Sequence, residues 1–443
     1  MINNGYGIVD GHKDSLGCDM QALIRRLYPI CRSITGEGVR QTISILKEYL
    51  SDIHVHEVPS GTPCFDWVVP KEWNIRDAYV VDPNGNKIVD FKKLNLHVVG
   101  YSIPVDKTVT LDELQEHLYS LPDQPAAVPY VTSYYKERWG FCISDDQRRI
   151  LKPGMYHVYI DSDLKEGSLT YGEAILPGES TKEVFLSTYV CHPSMANNEL
   201  SGPAVTAFLG RWLKSLSRRR YTYRIIFIPE TIGSILYLSR NIEVMKRNVV
   251  AGFNVTCVGD DRAYSYLPSR EGNSLADKVA KHVLRHHAPN YISYSFLVRG
   301  SDERQYCSPG VDLPVCSIMR SMYGSYPEYH TSLDDLNLVT PAGLYGAYEA
   351  LQKCLWSIEN NKFLKTAILC EPKLDKRGLY PSVGVIKMPE QSLVDMMNLI
   401  AYADGSRSLL DISDIINIPM WEAVNIAERL LNKGVLKEED PGV

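Results

Sequence analysis

His192, Glu230 and His330 lie far apart in the chain, yet each sits on a loop that follows a continuous apolar run. Zinc favours imidazole and carboxylate donors, and a hydrolytic zinc site keeps one position open for water. Water held there gives up its proton more readily, and a nearby carboxylate can take it. Four loops are rich in such groups. The first runs from Cys191-His192 through Asn197-Asn198-Glu199 to Gly202, and the second is Pro229-Glu230-Thr231 to Ser234. The third is Gly259-Asp260-Asp261-Arg262, and the fourth carries Tyr326, Glu328, Tyr329 and His330 and leads to Asp334-Asp335. Taken singly, His192 fits a buried structural histidine and Glu230 a carboxylate at a helix N-terminus. The four loops together point to metal-assisted hydrolysis.

The elements that must position these groups alternate between strand and helix. Residues 184–190, 223–229, 252–258 and 313–319 are buried-strand candidates, and helices are expected over 203–215, 233–247, 273–287 and 341–358. Such alternation indicates an α/β domain with a largely parallel sheet flanked by helices. Ligands of these sheets bind beyond the carboxyl ends of the strands, where all four loops begin. Residues 20–51 read as two helices around the loop Arg32-Ser33-Ile34-Thr35-Gly36-Glu37-Gly38. Residues 56–180 are broken often by Pro and Gly, with short β-like runs and one helix at 111–118, and read as an inserted β-rich domain. The α/β domain then spans 1–55 and 181–385. From 386 to 443, three short helices near 390–402, 410–416 and 419–432 and a final strand suggest a winged-helix unit.

The chain has 443 residues, 44% hydrophobic and 23% charged, with a formal charge of −6. That balance argues against a general nucleic-acid binder and against a polybasic membrane-surface protein. No apolar run approaches the roughly 18 residues of a membrane span. Residues 1–14 carry neither a basic nor an apolar signal region, so a cytoplasmic protein is expected. The ten cysteines form no CxxC pair, which fits reduced thiols. In the C-terminal unit Lys387, Arg407, Arg429, Lys433 and Lys437 face ten Asp and Glu residues. Packing or self-association into a homo-oligomer is therefore expected of it, not DNA reading. Tyrosines number 28 against 9 phenylalanines, a preference for aromatics with a polar tip.

The four loops resemble those of the co-catalytic zinc aminopeptidases, the family that also contains glutaminyl cyclases. The whole chain is more closely similar to a bacterial aminopeptidase-like branch associated with polysaccharide or natural-product biosynthesis. That branch joins a zinc-peptidase-like domain to an inserted β domain and a C-terminal winged helix. The resemblance rests on residues 32–38, 65–73, 191–202, 229–234, 258–266 and 329–336. It implies that His192 and His330 are metal ligands and that Glu230 is the general base. The bridging Asp of the family pattern falls on Asn198, and two further carboxylate ligands fall on Thr231 and Thr256. A neutral amide cannot neutralise two divalent cations, so one zinc is expected, held by His192, Asn198 and His330. Asp260 or Asp261 could supply a displaced carboxylate, and Glu199 is expected to point elsewhere. For the substrate, Asp302 is a candidate for an amino group and Arg304 for a carboxylate or phosphate, unless they form a solvated turn. Tyr264, Tyr266, Tyr326 and Tyr329 are expected near the mouth. The reading is a zinc-dependent amide hydrolase acting on a small aminoacyl, short peptide-like or N-acyl conjugate. Its rival is a non-catalytic binding or assembly protein with an eroded metal site.

Overall fold

The computed structural model describes residues 13–379 and 391–439. The N-terminal stretch read for a signal, the boundary placed at 386, and Lys387 lie outside the described residues. Contacts divide the chain into two units, one of residues to 277 with 291–349, the other of 278–290 with 350–443.

The first unit is built on an eight-stranded sheet. Its strands in chain order are β1 His54–Pro59, β2 Ser168–Leu176, β3 Ser180–Tyr189, β4 Tyr221–Ile228, β5 Val249–Asn254, β6 Ser265–Leu267, β7 Ile292–Ser293 and β8 Val315–Met319. In space they run β1-β2-β4-β3-β5-β8-β6-β7. The central β4, β3, β5 and β8 are parallel, with Ser187 of β3 paired to Ile226 and to Asn254. Their long apolar runs follow from this position, since helices cover both faces of a parallel sheet. Antiparallel β1 and β2 close one side, and β6 pairs antiparallel with β8 on the other.

Four helices of this unit matter for the site: α1 Lys13–Leu27, α2 Glu37–Tyr49, α3 Ser201–Ser215 and α4 Ile232–Asn248. α2 buries Val39, Ile43 and Leu46 along one stripe. A five-residue π-turn, Ala196–Leu200, precedes α3 and is wholly buried. Such turns are rare and frequent at functional sites.

The stretch 56–180 is tied to the large sheet at both ends, through β1 and β2. Between them, strands Lys87–Asp90, Glu72–Val81, Met155–Lys165 and Val105–Thr110 form a separate antiparallel sheet in that order. Besides the expected helix, Leu111–Glu116, a short one forms at Asp145–Arg149, capped by Ser144.

In the second unit, helices Gln391–Tyr402, Leu409–Ile416 and Met420–Asn432 adjoin a three-stranded sheet of Phe363–Thr366, Asp404–Ser408 and Leu436–Glu439. Ser408 and Asp411 close a capping box on the middle helix. The winged-helix character expected from the sequence is present, and its first strand lies well before residue 386.

No helix among the described residues is long and apolar enough to cross a membrane. All ten cysteines are free thiols.

Candidate active site

The loops leaving β3, β4 and β5 and the one beyond β8 converge at the carboxyl edge of the sheet. Each contains one non-glycine residue with left-handed backbone: Ser194, Thr231, Cys257 and His330, with φ of 40, 63, 51 and 56°. For β-branched Thr231 this conformation is costly, and strain of this kind collects where the surrounding structure forces a side chain into place.

His192 is buried at the end of β3. Its Nδ1 meets Oε2 of Glu199 at 2.8 Å, and its Nε2 lies 3.7 Å from the Glu230 carboxylate. The side chain of Glu199 therefore points at His192, contrary to the expectation from sequence. The π-turn is the reason, because its wider i to i+5 spacing turns Glu199 inward. Arg32, also buried, sits 3.5 Å from Glu199 Oε1 and donates through Nε to the His192 carbonyl at 3.0 Å. Burial pulls the His192 imidazole down, but the Glu199 bond and the charges of Glu199 and Glu230 outweigh it, leaving His192 above its ordinary value. His330 has the opposite balance: burial and the neighbouring His192 push it down to about 3. It is a neutral imidazole at any ordinary pH.

Three tyrosines wall the pair of histidines. Tyr329 stacks on His330 at 3.9 Å between centroids, and Tyr130 stands edge-on to both, 5.1 Å from His192 and 5.2 Å from His330. Tyr189 packs against His192 at 5.2 Å. Tyr130 arrives from the inserted stretch: its backbone N–H donates to the His330 carbonyl at 2.9 Å, and Ser332 N–H donates to the Val128 carbonyl at 2.8 Å.

Glu230 follows β4, with its carboxylate about one-fifth exposed. Burial raises its pKa, against the lowering charges of His192 and Arg304. Beneath the turn, Asp302 accepts from Thr231 N–H and from the Ser234 hydroxyl, both at 2.8 Å. Asp302 is fully buried, so it braces the Glu230 turn and does not present itself to a substrate amine as expected. Arg304 is half-buried and donates to Thr231 Oγ1 at 3.0 Å, which keeps it beside Glu230.

The other candidates lie apart from the histidines. Asp260 is buried and accepts from Ser321 N–H and hydroxyl, Arg262 N–H and the Asn197 amide. Asp261 accepts from Thr340 Oγ1 at the surface. Neither is a displaced metal ligand, since each is committed to holding loops. Tyr264 lies under the Arg320 guanidinium at 3.8 Å, and Tyr266 donates to Asp277, so these two phenols do not line the mouth. Tyr326 donates to Asp334, which accepts from the backbone N–H of Asn197 and of Asn198. Arg32, Tyr130, Tyr189, Glu199 and Asp334 were not among the site residues expected from sequence. Arg32 stood within the polar loop singled out there, the one signal that could have found it.

Among the described residues, one group of three His, Cys, Asp or Glu donors lies close enough to share an ion: Cys191, His192 and Glu199. Its atoms crowd Nδ1 of His192, where Glu199 is already in hydrogen-bond contact. Burial, then the Glu199 and Glu230 charges, hold the Cys191 thiol well above its usual range. A proton suits that side better than an ion. The Nε2 side differs. With Nδ1–H given to a carboxylate, Nε2 is presented as a ligand, the arrangement common at metal-bound histidines. No hydrogen bond among the described residues takes up a ring nitrogen of His330.

Asn198 bears on the same question. The Tyr189 hydroxyl lies 2.7 Å from Asn198 Oδ1 and 2.9 Å from its carbonyl oxygen, while Asn198 Nδ2 is buried without a partner. A phenol has one proton and can serve only one of those oxygens. Turning the amide over lets Nδ2 donate to the Tyr189 oxygen and leaves Oδ1 as an open neutral acceptor. The hydroxyls of Thr231 and Thr256 are engaged by Arg304 and by Tyr189 with the Asn198 carbonyl. The donor set fits one ion better than two.

A family model described as a domain of unknown function, DUF4910, matches residues 21–361, and a winged helix-turn-helix model matches 362–438. A Clostridium acetobutylicum protein, named for polysaccharide biosynthesis with an aminopeptidase-like domain, is 46% identical over 401 residues, 90% of this chain and 91% of its own. A crystal structure named for a peptidase of the same organism superposes with TM-score 0.91 at 43% identity, over 97% of this chain and 98% of that one. The zinc aminopeptidase of Bacillus subtilis matches with TM-score 0.56 at 12% identity, over 77% and 94%. That last likeness concerns the fold alone.

Proposed function

We propose, from the premise that this chain belongs to the DUF4910 family of aminopeptidase-like proteins, that it hydrolyses an amide bond with Glu230 as general base. The observation that carries the proposal is the 3.7 Å approach of the Glu230 carboxylate to His192 Nε2, beside a second imidazole kept neutral. His192, His330 and Asn198 Oδ1 would hold a zinc ion. When bound, zinc polarises the substrate carbonyl and acidifies water at that point.

The chain's own groups do the remainder. Glu230 takes the proton from the attacking water and returns it to the leaving amine. Burial raises its pKa, which makes it a stronger base toward the attacking water than an exposed carboxylate. Arg304, beside Glu230, is placed to receive an anionic substrate group, and Tyr329 and Tyr130 offer ring faces and edges to a polar ligand. The substrate class is a small aminoacyl or N-acyl conjugate.

The test is hydrolysis of aminoacyl anilides and of N-acyl sugars by the full chain. Activity should vanish after chelation, return with zinc, and be absent in Glu230→Ala. No turnover of either substrate class by the zinc-loaded chain would reject the proposal.

A further inference from the structure

One side of the loop Arg32–Gly38 holds Arg32 against His192. Another side, with the start of α2 and part of the inserted stretch, walls a cavity of about 410 Å³. That volume lies within the range of small-molecule sites. The cavity shares no lining residue with the His192, Glu230 and His330 site.

The loop keeps its shape because no side chain can stand at two positions. At Gly36, with φ of 96°, a Cβ would fall 2.2 Å from the Trp73 carbonyl oxygen, and at Gly38 one would fall 2.0 Å from that of Cys31. The loop is pinned to the inserted stretch by Trp73 N–H donating to Thr35 Oγ1 at 3.1 Å and Glu37 N–H donating to Asn74 Oδ1 at 2.7 Å.

The polar groups on the wall are unevenly used. Ser33 is 6% exposed as a residue and lines the cavity, and no hydrogen bond among the described residues engages its hydroxyl. Asn95 gives its Nδ2 protons to the Pro29 carbonyl at 3.1 Å and Ser194 Oγ at 2.9 Å, leaving Oδ1 as an open acceptor. Gln41 is exposed and brings both an amide donor and an acceptor. The one charged lining residue, Glu37, is answered by Arg40 at 2.9 Å. Ile30, Ile75 and Phe91 supply an apolar face.

A hydroxyl on the cavity wall that no protein group engages is left to water, or to a ligand that takes the water's place. The lining has no Lys, Arg or His to meet an anion, and its lone carboxylate is already paired, so neither an anion nor a cation suits it. Open donors and acceptors side by side, opposite an apolar face, match groups that donate and accept at once while offering C–H surface. Hydroxyls on a carbon ring do this. We propose that this cavity binds a neutral polyhydroxyl small molecule of the sugar class, at a site separate from the hydrolytic one.

Calorimetric titration of the full chain with glucose, galactose and N-acetylglucosamine tests this, with glucose 1-phosphate as the anionic probe. At least one neutral sugar should bind, and more tightly than the phosphate ester. Ser33→Ala should weaken that binding about fivefold, the loss of one hydrogen bond. Ser33→Leu, which fills the wall, should abolish it, while His330→Ala binds as the parent does. Should Ser33→Leu fail to fold by circular dichroism, the Ser33→Ala titration decides alone. Absence of binding by all three sugars, tighter binding of the phosphate ester, or unchanged affinity in Ser33→Ala would each overturn the proposal. Loss of binding in His330→Ala would do so too, by moving the ligand to the hydrolytic site.

Discussion

Oε2 of Glu199 lies 2.8 Å from Nδ1 of His192, and the other carboxylate oxygen lies 3.5 Å from Nε of Arg32. All three side chains are buried, so a charge network shielded from water sets the orientation of a candidate ligand.

Glu199→Gln should therefore act twice. Losing the partner that orients a metal-binding histidine typically lowers metal affinity about 10–100-fold. It also strands the Arg32 guanidinium, and breaking a buried pair costs about 3–5 kcal/mol. Zinc titration against a chelating dye reads the first effect and urea unfolding of the metal-free chain the second. Parent-like values in both would show that the network does not govern His192.

Asn198→Asp places a carboxylate where the orphaned amide now sits, beside Tyr189. Zinc affinity should rise by at least about tenfold, because a charged oxygen replaces a neutral one. Any hydrolytic rate should rise with it. The same dye competition and the anilide assay check this, and no gain in either removes Asn198 from the ligand set.

Asp302 gives a dependence on pH. Burial, and then the Glu230 charge, push its carboxyl up to about 7 from an ordinary 3.8. The folded value exceeds the unfolded one, so its share of stability is full below pH 4 and is lost as pH rises through about 7. The metal-free chain should lose on the order of a few kcal/mol between pH 4 and 8. Asp302→Asn, which has no charge to bury, should flatten that decline. Urea midpoints across the range provide the measurement, and identical slopes in parent and variant would place the effect elsewhere.

The winged-helix unit should not retain duplex DNA. Its last helix, Met420–Asn432, carries Glu422 and Glu428 against Arg429. Arg407 pairs with Asp404 at 2.8 Å and Lys437 with Glu439 at 3.5 Å. A gel-shift assay at low salt is the most permissive condition for phosphate contacts. Retention there that falls steeply with added salt would contradict the expectation.

The sequence made the parallel strands legible because burial on both faces leaves unbroken apolar runs, as in β3 and β4. It also led to His192, Glu230 and His330, which the fold brings to one edge. Glu199 was expected to point elsewhere, and the buried π-turn that instead brings it to His192 has no signature in the residue types. Asp302 was a candidate for a substrate amine, and its burial was not legible because it comes from elements distant in sequence. The positive φ of Ser194, Thr231 and Cys257 could not be foreseen, since their side chains do not favour that conformation. Tyr130 was missed for a similar reason: its contacts span the inserted stretch.

Tyr130 and its neighbours hold the His330 loop through backbone bonds between residues 128–130 and 330–332. Segments so distant meet only after the intervening chain has collapsed, and contacts of that range form late. A growing chain that ends at β5 carries His192 and Glu230 but no His330. On the proposed reading, the site is complete only once these long-range contacts have formed. On that reading a chain cut before residue 330 lacks the second imidazole, and excising the insertion removes Tyr130 and its hold on the His330 loop.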